Sequence, residues 1–366
     1  MTVHTEILLI AIAVSIACAI PGVFLVLRRM SMMADAITHT VFLGIVLAFF
    51  VTEDLNSPLL LVGATLVGVG TVWLTEMIHN TGLVNEDASI GIIFPLLFSI
   101  AIILVSLYSG NAHLDVDTAL LGEIAFAPFD RWIVNSTDLG PVSLWISLGV
   151  AVINLLLVML FYKELQLSTF DPLLAGLFGF MPAIIHYVLM TMVSLTVVAS
   201  FQAVGAILVI GLMIGPAVIA YLWTDSVKAM LISSIIIGII CAVIGTEVAF
   251  TLDVSIAGAI ATTIGLALLI AVIGTPKTGY IATYLRQRHL RRHYRETMML
   301  CHIYTHMNTP VAAIENGIGT IHEHLNWKPD YTHQAASHLK KQGLLYVTNG
   351  YYMLTDKGVA QVKEII

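Results

Sequence analysis

The chain contains little charge and little cysteine, and each shortage excludes a class of protein. Only 11% of its 366 residues are charged, whereas soluble domains carry about 25%. The three cysteines form no CxxC pair, which argues against a disulfide framework and against cysteine-bound zinc. The chain also has no GxxxxGK[ST] phosphate loop, HExxH or GxSxG motif. The sequence therefore excludes a wholly soluble protein and nucleotide binding in the P-loop manner, and it disfavours an enzyme. Any energy source must lie in another subunit or an ion gradient.

Apolar sequence is what the chain has in abundance. Apolar residues make up 58% of it, and its mean hydropathy is +0.93. A helix that crosses a bilayer needs about 20 apolar residues. We therefore predict an all-α polytopic membrane protein with eight or nine transmembrane helices. The runs that qualify or nearly qualify are residues 6–27, 37–52, 58–78, 88–108, 142–162, 183–201, 202–223, 228–250 and 254–274.

Two of these runs leave the helix count open. The run at 37–52 is too short to cross unless its helix begins near Met32. The stretch 183–223 fits either a tight hairpin of two helices or one helix with a re-entrant segment.

Charge is distributed unevenly along the chain. Residues 1–280 hold 6 Lys and Arg against 17 Asp and Glu, whereas residues 281–366 hold 10 against 6. We therefore predict a transmembrane domain at 1–280, a basic juxtamembrane linker helix at 281–295 and a separate domain at 296–366. Positive residues favour the cytoplasmic side of a membrane. The arginine pair after the first run thus places the N-terminus outside and, after nine spans, the C-terminal domain in the cytoplasm.

Three ionisable side chains in the predicted spans are candidates for a metal pathway. Asp35 and His39 lie one helical turn apart on one helix face, and Glu247 lies near the outer end of the eighth run. Charged groups are costly inside a bilayer, and a carboxylate with an imidazole suits Mn, Fe or Zn. The alternatives are an Asp35–His39 hydrogen bond that only joins two helices, and a Glu247 side chain that extends to the lipid headgroups.

The loop after the fifth run has the pattern of a short helix. Asp171 precedes Pro172, so the two residues suit an N-cap and the first helical position, and Phe170, Ala175 and Gly179 complete the segment. Such a helix on the cytoplasmic face either docks a soluble partner or rests among the headgroups.

The tail is predicted to form a small α+β domain. Helices are expected at 296–307, 312–324 and 331–342, and a hairpin with an Asn-Gly turn is expected at 345–352. This order is similar to the winged-helix domains of metal-responsive repressors, in which the third helix would contact DNA. A net charge of +4 in residues 281–366 gives only weak support for DNA binding.

Eight of the thirteen histidines lie in this tail. His302 and His306 have the i, i+4 spacing with which two imidazoles bind one metal ion, and so do His289 and His293. We take His302 and His306 as candidates for a regulatory metal site. The alternative is a protein–protein module with solvated histidines.

Several motifs occur in the order typical of one transporter family. Over about residues 5–275 the chain resembles the permease subunits of the bacterial manganese, zinc and iron ABC importers. The matching positions are Arg29-Met30-Ser31 with Asp35, His39 and Gly44; Glu86-Asp87-Ala88 with Ile90-Gly91-Ile92; Phe170-Asp171-Pro172 with Ala175 and Gly179; Val204-Gly205, Gly215-Pro216 and Ala220; and Leu252-Asp253 with Gly258.

The resemblance implies a fold like that of the type II ABC importers, in the inner or plasma membrane of a bacterium. Two permease chains, either two copies or this chain and a sister permease, would form the pathway. Cytoplasmic ATPase subunits would dock on residues 170–179, and an extracytoplasmic metal-binding protein would deliver Mn, Zn or Fe as cargo, with no permanently bound cofactor. Asp35 and His39 would be pathway residues, whereas the role of Glu247 rests on its chemistry and position and not on the resemblance.

Two other functions stay open beside an importer permease. A membrane-tethered, metal-responsive transcription regulator would use the tail to bind promoters. An ion-gradient-driven metal carrier would transport without any ATPase partner.

Overall fold

The structure, a computed structural model, describes residues 2–54, 57–108, 124–134, 137–275 and 279–365. The chain divides into two compact units, Met1–Ile273 and Gly274–Ile366. Each unit has an apolar core of its own.

The first unit is helical almost throughout. Within its described residues, nine helices are long and apolar enough to cross a membrane, which confirms the predicted eight or nine. They are α1 (Val3–Leu27), α2 (Ser31–Thr52), α3 (Pro58–His79), α4 (Glu86–Tyr108), α5 (Val142–Leu160), α8 (Pro182–Val204), α9 (Ala206–Trp223), α10 (Val227–Leu252) and α11 (Ile256–Gly274), with the shorter α6 (Tyr162–Phe170) and α7 (Pro172–Leu177) between α5 and α8.

Two boundaries that the sequence left open are decided by the structure. Helix α2 begins at Ser31 and is 22 residues long, so the run at 37–52 belongs to a full-length helix. Helices α8 and α9 are joined by Gly205 alone, whose φ of 81° lies in the region that glycine adopts readily and other residues do not. The stretch 183–223 is therefore two separate helices of membrane-crossing length.

Helix α1 lies at the centre of the first unit. Its side chains Ile10, Val14 and Phe24 are fully buried, and it contacts α5, α8, α9 and α10. A helix that is apolar on all faces suits such a position. Helix α2 packs on α3 and α4, and Gly44 allows the close approach to α3, because a Cβ atom there would lie 2.5 Å from the Cα atom of Ala64.

A short antiparallel hairpin between α4 and α5 was not predicted from the sequence. It consists of β1 (Arg131–Val134) and β2 (Thr137–Pro141). The guanidinium of Arg131 donates two hydrogen bonds of 3.2 Å to the carboxylate of Glu6 on α1, and its Nε lies 2.6 Å from Oδ2 of Asp138. Glu6 is buried, and Arg131 supplies the opposite charge that a buried carboxylate needs.

The second unit is a small α+β domain with one antiparallel hairpin, as predicted. Its core contains Met299, Ile303, Leu339, Tyr352 and Val362. The elements are α12 (Tyr280–His306), α13 (Ala312–Glu315), α14 (Ile321–His324), α15 (Pro329–Lys341), β3 (Leu345–Thr348), β4 (Tyr351–Leu354) and α16 (Asp356–Ile365).

The predicted helices of this unit need three corrections. The linker helix at 281–295 and the helix at 296–307 are one continuous helix, α12. The predicted helix at 312–324 is wrong: the chain leaves α13 after Glu315 and pairs with β4 before α14 begins, with a bridge between Gly317 and Tyr351. Glycine is a poor helix former, so this tertiary pairing overrides the helical pattern. Helix α16 was not predicted.

Candidate functional site

Asp35 and His39 form a contact on one face of α2, as their spacing predicted. Nε2 of His39 lies 3.6 Å from Oδ1 of Asp35, and the side chains are 30% and 41% exposed, respectively. Their neighbours Met33, Ala34 and Ile37 are buried in the core. Helix α2 therefore turns its apolar residues inward and keeps this carboxylate–imidazole pair at an accessible position.

The imidazole of His39 also packs against two aromatic rings of α4. Its centroid lies 5.0 Å from that of Phe94 and 5.9 Å from that of Phe98, the second in an edge-to-face arrangement. These contacts restrict the orientation of the imidazole, whereas the carboxylate of Asp35 is 41% exposed. The pair thus offers one positioned nitrogen ligand and one adjustable oxygen ligand.

Glu247 lies elsewhere in the first unit. Its Oε1 is 3.3 Å from Nε2 of His4, near the start of α1, and its side chain is 57% exposed. The His4 ring meets Phe250 edge to face, with centroids 4.3 Å apart. Throughout the described part of the chain, the one set of three metal-ligating side chains within 4.8 Å lies in the second unit. The structure therefore brings Asp35 and His39 together but does not add Glu247 to them.

The loop helix forms as the sequence predicted. Oδ1 of Asp171 accepts a hydrogen bond of 2.9 Å from the N–H of Leu174, and Pro172 is the first residue of α7. At the other end Gly179 has a φ of 85°, and the N–H of Phe180 donates to the carbonyl of Ala175 at 3.1 Å. This is a Schellman motif, in which a left-handed glycine ends the helix. Asp171, Ala175 and Gly179 therefore fix both ends of α7.

One side of this segment is apolar and exposed. Ala175 is buried and anchors α7 to the unit. Around it lies a group of large apolar side chains, all more than 60% exposed, which we name the apolar patch: Phe170, Leu173, Leu177 and Phe178. Such clusters of exposed apolar side chains are typical of surfaces that contact a partner or a membrane.

A polar network that the sequence did not predict holds α6 against the ends of other helices. Arg28, which follows α1, donates hydrogen bonds to Oγ of Ser168 at 2.8 Å, to Oγ1 of Thr169 at 3.1 Å and to Nδ1 of His186 at 3.1 Å. Burial lowers the pKa of the Arg28 guanidinium, but arginine still keeps its charge. Arg28 therefore joins α1, α6 and α8 through one side chain.

The same network continues to α3. Nε2 of His186 lies 2.7 Å from Oε1 of Glu76, and the hydroxyl of Tyr187 donates to Oε2 of Glu76 at 2.6 Å. The signal in the sequence was weak, because Glu76 and His186 stand out only as ionisable residues in apolar runs. Which helices these residues join depends on the fold.

The model of the ABC 3 transport family matches residues 2–275. This chain belongs to the ABC 3 transport family. Within the family it is a membrane-spanning permease subunit and not an enzyme. Its fold is similar to that of PsaBC from Streptococcus pneumoniae, solved in complex with a Fab, with a TM-score of 0.64 and 29% identity over 79% of this chain and 96% of that one.

Two similar proteins differ in how much of this chain they match. The zinc transport system membrane protein TroD of Treponema pallidum is 41% identical over 97% of this chain and 96% of its own length. The manganese transport system membrane protein MntD of Bacillus subtilis is 42% identical over 80% of this chain and 99% of its own. The match to TroD therefore includes most of the second unit, whereas the match to MntD leaves about a fifth of the chain uncovered.

Proposed function

We propose that this chain is the permease of an ATP-driven importer that moves Mn, Zn or Fe ions through a pathway lined by Asp35 and His39. The observation that carries the proposal is the accessible carboxylate–imidazole pair in a membrane-length helix of an ABC 3 family chain. The names of the relatives support a metal as cargo, since TroD is a zinc and MntD a manganese transport protein. Mn, Zn and Fe all accept this donor set.

The pair provides two ligands, and a divalent transition metal takes at least four. A second permease chain that faces α2 supplies the remaining ligands, or water does. Two ligands per chain suit transport, because an ion held by a complete set of protein ligands is released slowly. Pathway formation by two permease chains is therefore part of the proposal.

Hydrolysis of ATP belongs to a separate subunit that docks on α7 and the apolar patch. The patch is exposed, its helix is capped at both ends, and α6 beside it is bonded to Arg28. Movement of a docked ATPase would reach α1, α3 and α8 through the network of Arg28, His186 and Glu76. Asp171 and Gly179 support docking because they hold α7 in shape.

The proposed orientation places the N-terminus outside. Helix α1 has 25 residues and so is about 37 Å long, enough to separate two faces. The Arg28 network and α7 lie at its C-terminal end, whereas His4, Glu247 and Arg131 lie near its N-terminal end. With the Arg28 end in the cytoplasm, the ATPase meets α7, and an extracytoplasmic metal-binding protein meets the opposite face.

Uptake of radiolabelled Mn, Zn and Fe by proteoliposomes that contain the permease, its ATPase and its delivery protein tests the proposal. We expect ATP-dependent uptake of at least one ion, and a loss of about tenfold or more in Asp35→Asn and His39→Ala. Glu53→Gln is the matched control, because it also removes a carboxylate charge at α2 but at the opposite end of the helix. Full uptake by both pathway variants would remove Asp35 and His39 from the pathway.

The same proteoliposomes distinguish the proposed importer from an ion-gradient-driven carrier, and the structure of the second unit bears on the regulator. Uptake that continues without the ATPase would favour an ion-gradient-driven carrier. The regulator hypothesis requires a free recognition helix, yet on α15 the Nδ1 of His338 lies 2.8 Å from Oε1 of Glu296, and Arg295 lies over the ring of Tyr331. Both partners belong to α12, so part of the predicted recognition face is already engaged.

A further inference from the structure

Four ligand-bearing side chains converge in the second unit. His302 and His306 lie on the last turns of α12, with ring centroids 4.8 Å apart. The ligand atoms of His302, His306 and Glu315 all lie within 4.8 Å of one another. Nδ1 of His324, on α14, lies 3.1 Å from Oε2 of Glu315. Helix α12 thus supplies two imidazoles, and the short helices α13 and α14 bring a carboxylate and a third imidazole to them.

The main chain around this cluster is held in place. Nδ2 of Asn316 donates to the carbonyl of Ile303 at 3.3 Å, and Nε2 of His302 lies 3.2 Å from the backbone carbonyl oxygen of Glu315. His302 and Glu315 are mostly shielded, with side chains 15% and 26% exposed. The segment that carries Glu315 is therefore fastened to the end of α12 by the Asn316 hydrogen bond, which depends on none of the ligand side chains.

The spacing is close to what a tetrahedral metal site needs. Metal–nitrogen and metal–oxygen distances of about 2.1 Å set the ligand atoms about 3.4 Å apart. The shift from 4.8 Å is small enough for side-chain rotation alone, without movement of a helix. Ion pairing does not explain the composition, because three imidazoles surround a single carboxylate. Imidazole nitrogens are ligands that suit divalent transition metals such as zinc.

We propose that His302, His306 and Glu315 bind one divalent transition-metal ion of the zinc or cobalt type, and that His324 orients the carboxylate of Glu315. Three protein ligands leave the fourth tetrahedral position to water, as in zinc sites that exchange a ligand. The hydrogen bond from His324 to a ligating carboxylate is the kind of outer contact that tunes metal affinity. Neither His289 nor His293 takes part, since both are exposed on an earlier part of α12.

If the chain imports such ions, this site binds the ion after it has entered the cell. That consequence rests on the proposed function and on the proposed orientation. A bound ion would link α12 to α13 and would inhibit further uptake. We name this inhibition the brake. The binding site itself does not depend on transport, so the two can be tested apart.

Cobalt binding to the purified full-length chain tests the site. Co²⁺ alone is the probe, followed by its visible absorption and by equilibrium dialysis. We expect wild type to bind one equivalent more than His302→Ala/His306→Ala. The matched control is His289→Ala/His293→Ala, which removes two histidines of the same spacing from the same helix and should bind as wild type does. Any ion bound by Asp35 and His39 contributes equally to all three proteins.

Equal numbers of bound Co²⁺ in wild type and His302→Ala/His306→Ala would overturn the site. To separate lost binding from lost folding, Glu315→Gln keeps the size of the side chain and should weaken Co²⁺ binding tenfold or more. In that variant Zn²⁺ should no longer raise the melting temperature of the second unit. A Zn²⁺-induced rise as large as in wild type would contradict the assignment of Glu315.

The brake is tested by uptake at rising internal metal. Proteoliposomes preloaded with Zn²⁺ should slow wild-type uptake and leave His302→Ala/His306→Ala unaffected. Equal inhibition of both would overturn the brake and leave the binding result intact. Absence of uptake by wild type in any condition would instead count against the proposed function.

Discussion

Arg28 donates a hydrogen bond of 3.1 Å to Nδ1 of His186, from the end of α1 to the start of α8. A guanidinium has no acceptor, so Nδ1 must accept and the proton of the neutral imidazole lies on Nε2. That nitrogen is 2.7 Å from the carboxylate of Glu76 on α3. The imidazole is therefore oriented by a cation on one side and an anion on the other, and three helices are joined at one end of the bundle.

Arg28→Gln should destabilise this end of the bundle. Hydrogen bonds to a charged group contribute about 1.5–3 kcal/mol each, and the shorter amide cannot reach Ser168, Thr169 and His186 together. We expect a free energy of unfolding lower by about 2–3 kcal/mol, read as a lower melting temperature of the purified permease. Arg29→Gln is the control, since Arg29 is the neighbouring arginine with an exposed side chain. Equal melting temperatures of Arg28→Gln and wild type would show that the network does not stabilise the fold.

Gly179→Ala should disturb α7 and weaken ATPase docking. At a φ of 85° a Cβ atom costs about 1–2 kcal/mol, so the Schellman end of α7 should loosen. Co-purification of the ATPase with the permease measures the effect. Gly176→Ala is the matched control, because Gly176 lies inside α7 with open space around its Cβ position. Docking unchanged in Gly179→Ala, or reduced to the same degree in both variants, would contradict the role given to this helix end.

Gly44→Val should push α2 away from α3. A Cβ atom at Gly44 already lies 2.5 Å from the Cα atom of Ala64, so backbone must move, and overpacking costs about 1–3 kcal/mol. Lower thermal stability and lower metal uptake are expected together, since α2 carries Asp35 and His39. A Cβ atom at Gly70 on α3 would meet nothing within 4 Å, so Gly70→Val should leave both quantities nearly unchanged. Wild-type stability of Gly44→Val would mean that the α2–α3 contact is adaptable.

Low pH should release the hairpin of β1 and β2. The backbone N–H of Gly140 and then Arg131 lower the pKa of the Asp138 carboxyl. A carboxyl whose pKa is lower in the folded state stabilises the fold above its unfolded pKa of about 3.9 and loses that contribution as the pH falls through the folded value. Hydrogen exchange at Gly140, corrected for the intrinsic rate, should therefore accelerate below about pH 4. Asp138→Asn should show the faster exchange already at neutral pH, and an unchanged rate would contradict the assignment.

Local features of the fold were predictable because each depends on a few neighbouring residues and on the thickness of a bilayer. Long apolar runs gave the membrane helices, since in lipid the backbone must satisfy its hydrogen bonds within one helix. The Asp171-Pro172 pair gave the start of α7 because capping is a contact over three residues. The i, i+4 spacings placed Asp35 beside His39 and His302 beside His306.

Contacts between distant parts of the chain were decided only by the tertiary structure. Hydropathy does not predict which helices pack together, so the network from Arg28 through His186 to Glu76 could not be predicted. The same holds for Glu315, which joins the two histidines only because the chain leaves α13 and pairs Gly317 with Tyr351. Sequence alone determined which segments form membrane helices and which side chains lie one turn apart on the same helix. Folding decided which of those groups meet, because packing of many apolar side chains outweighs any local preference.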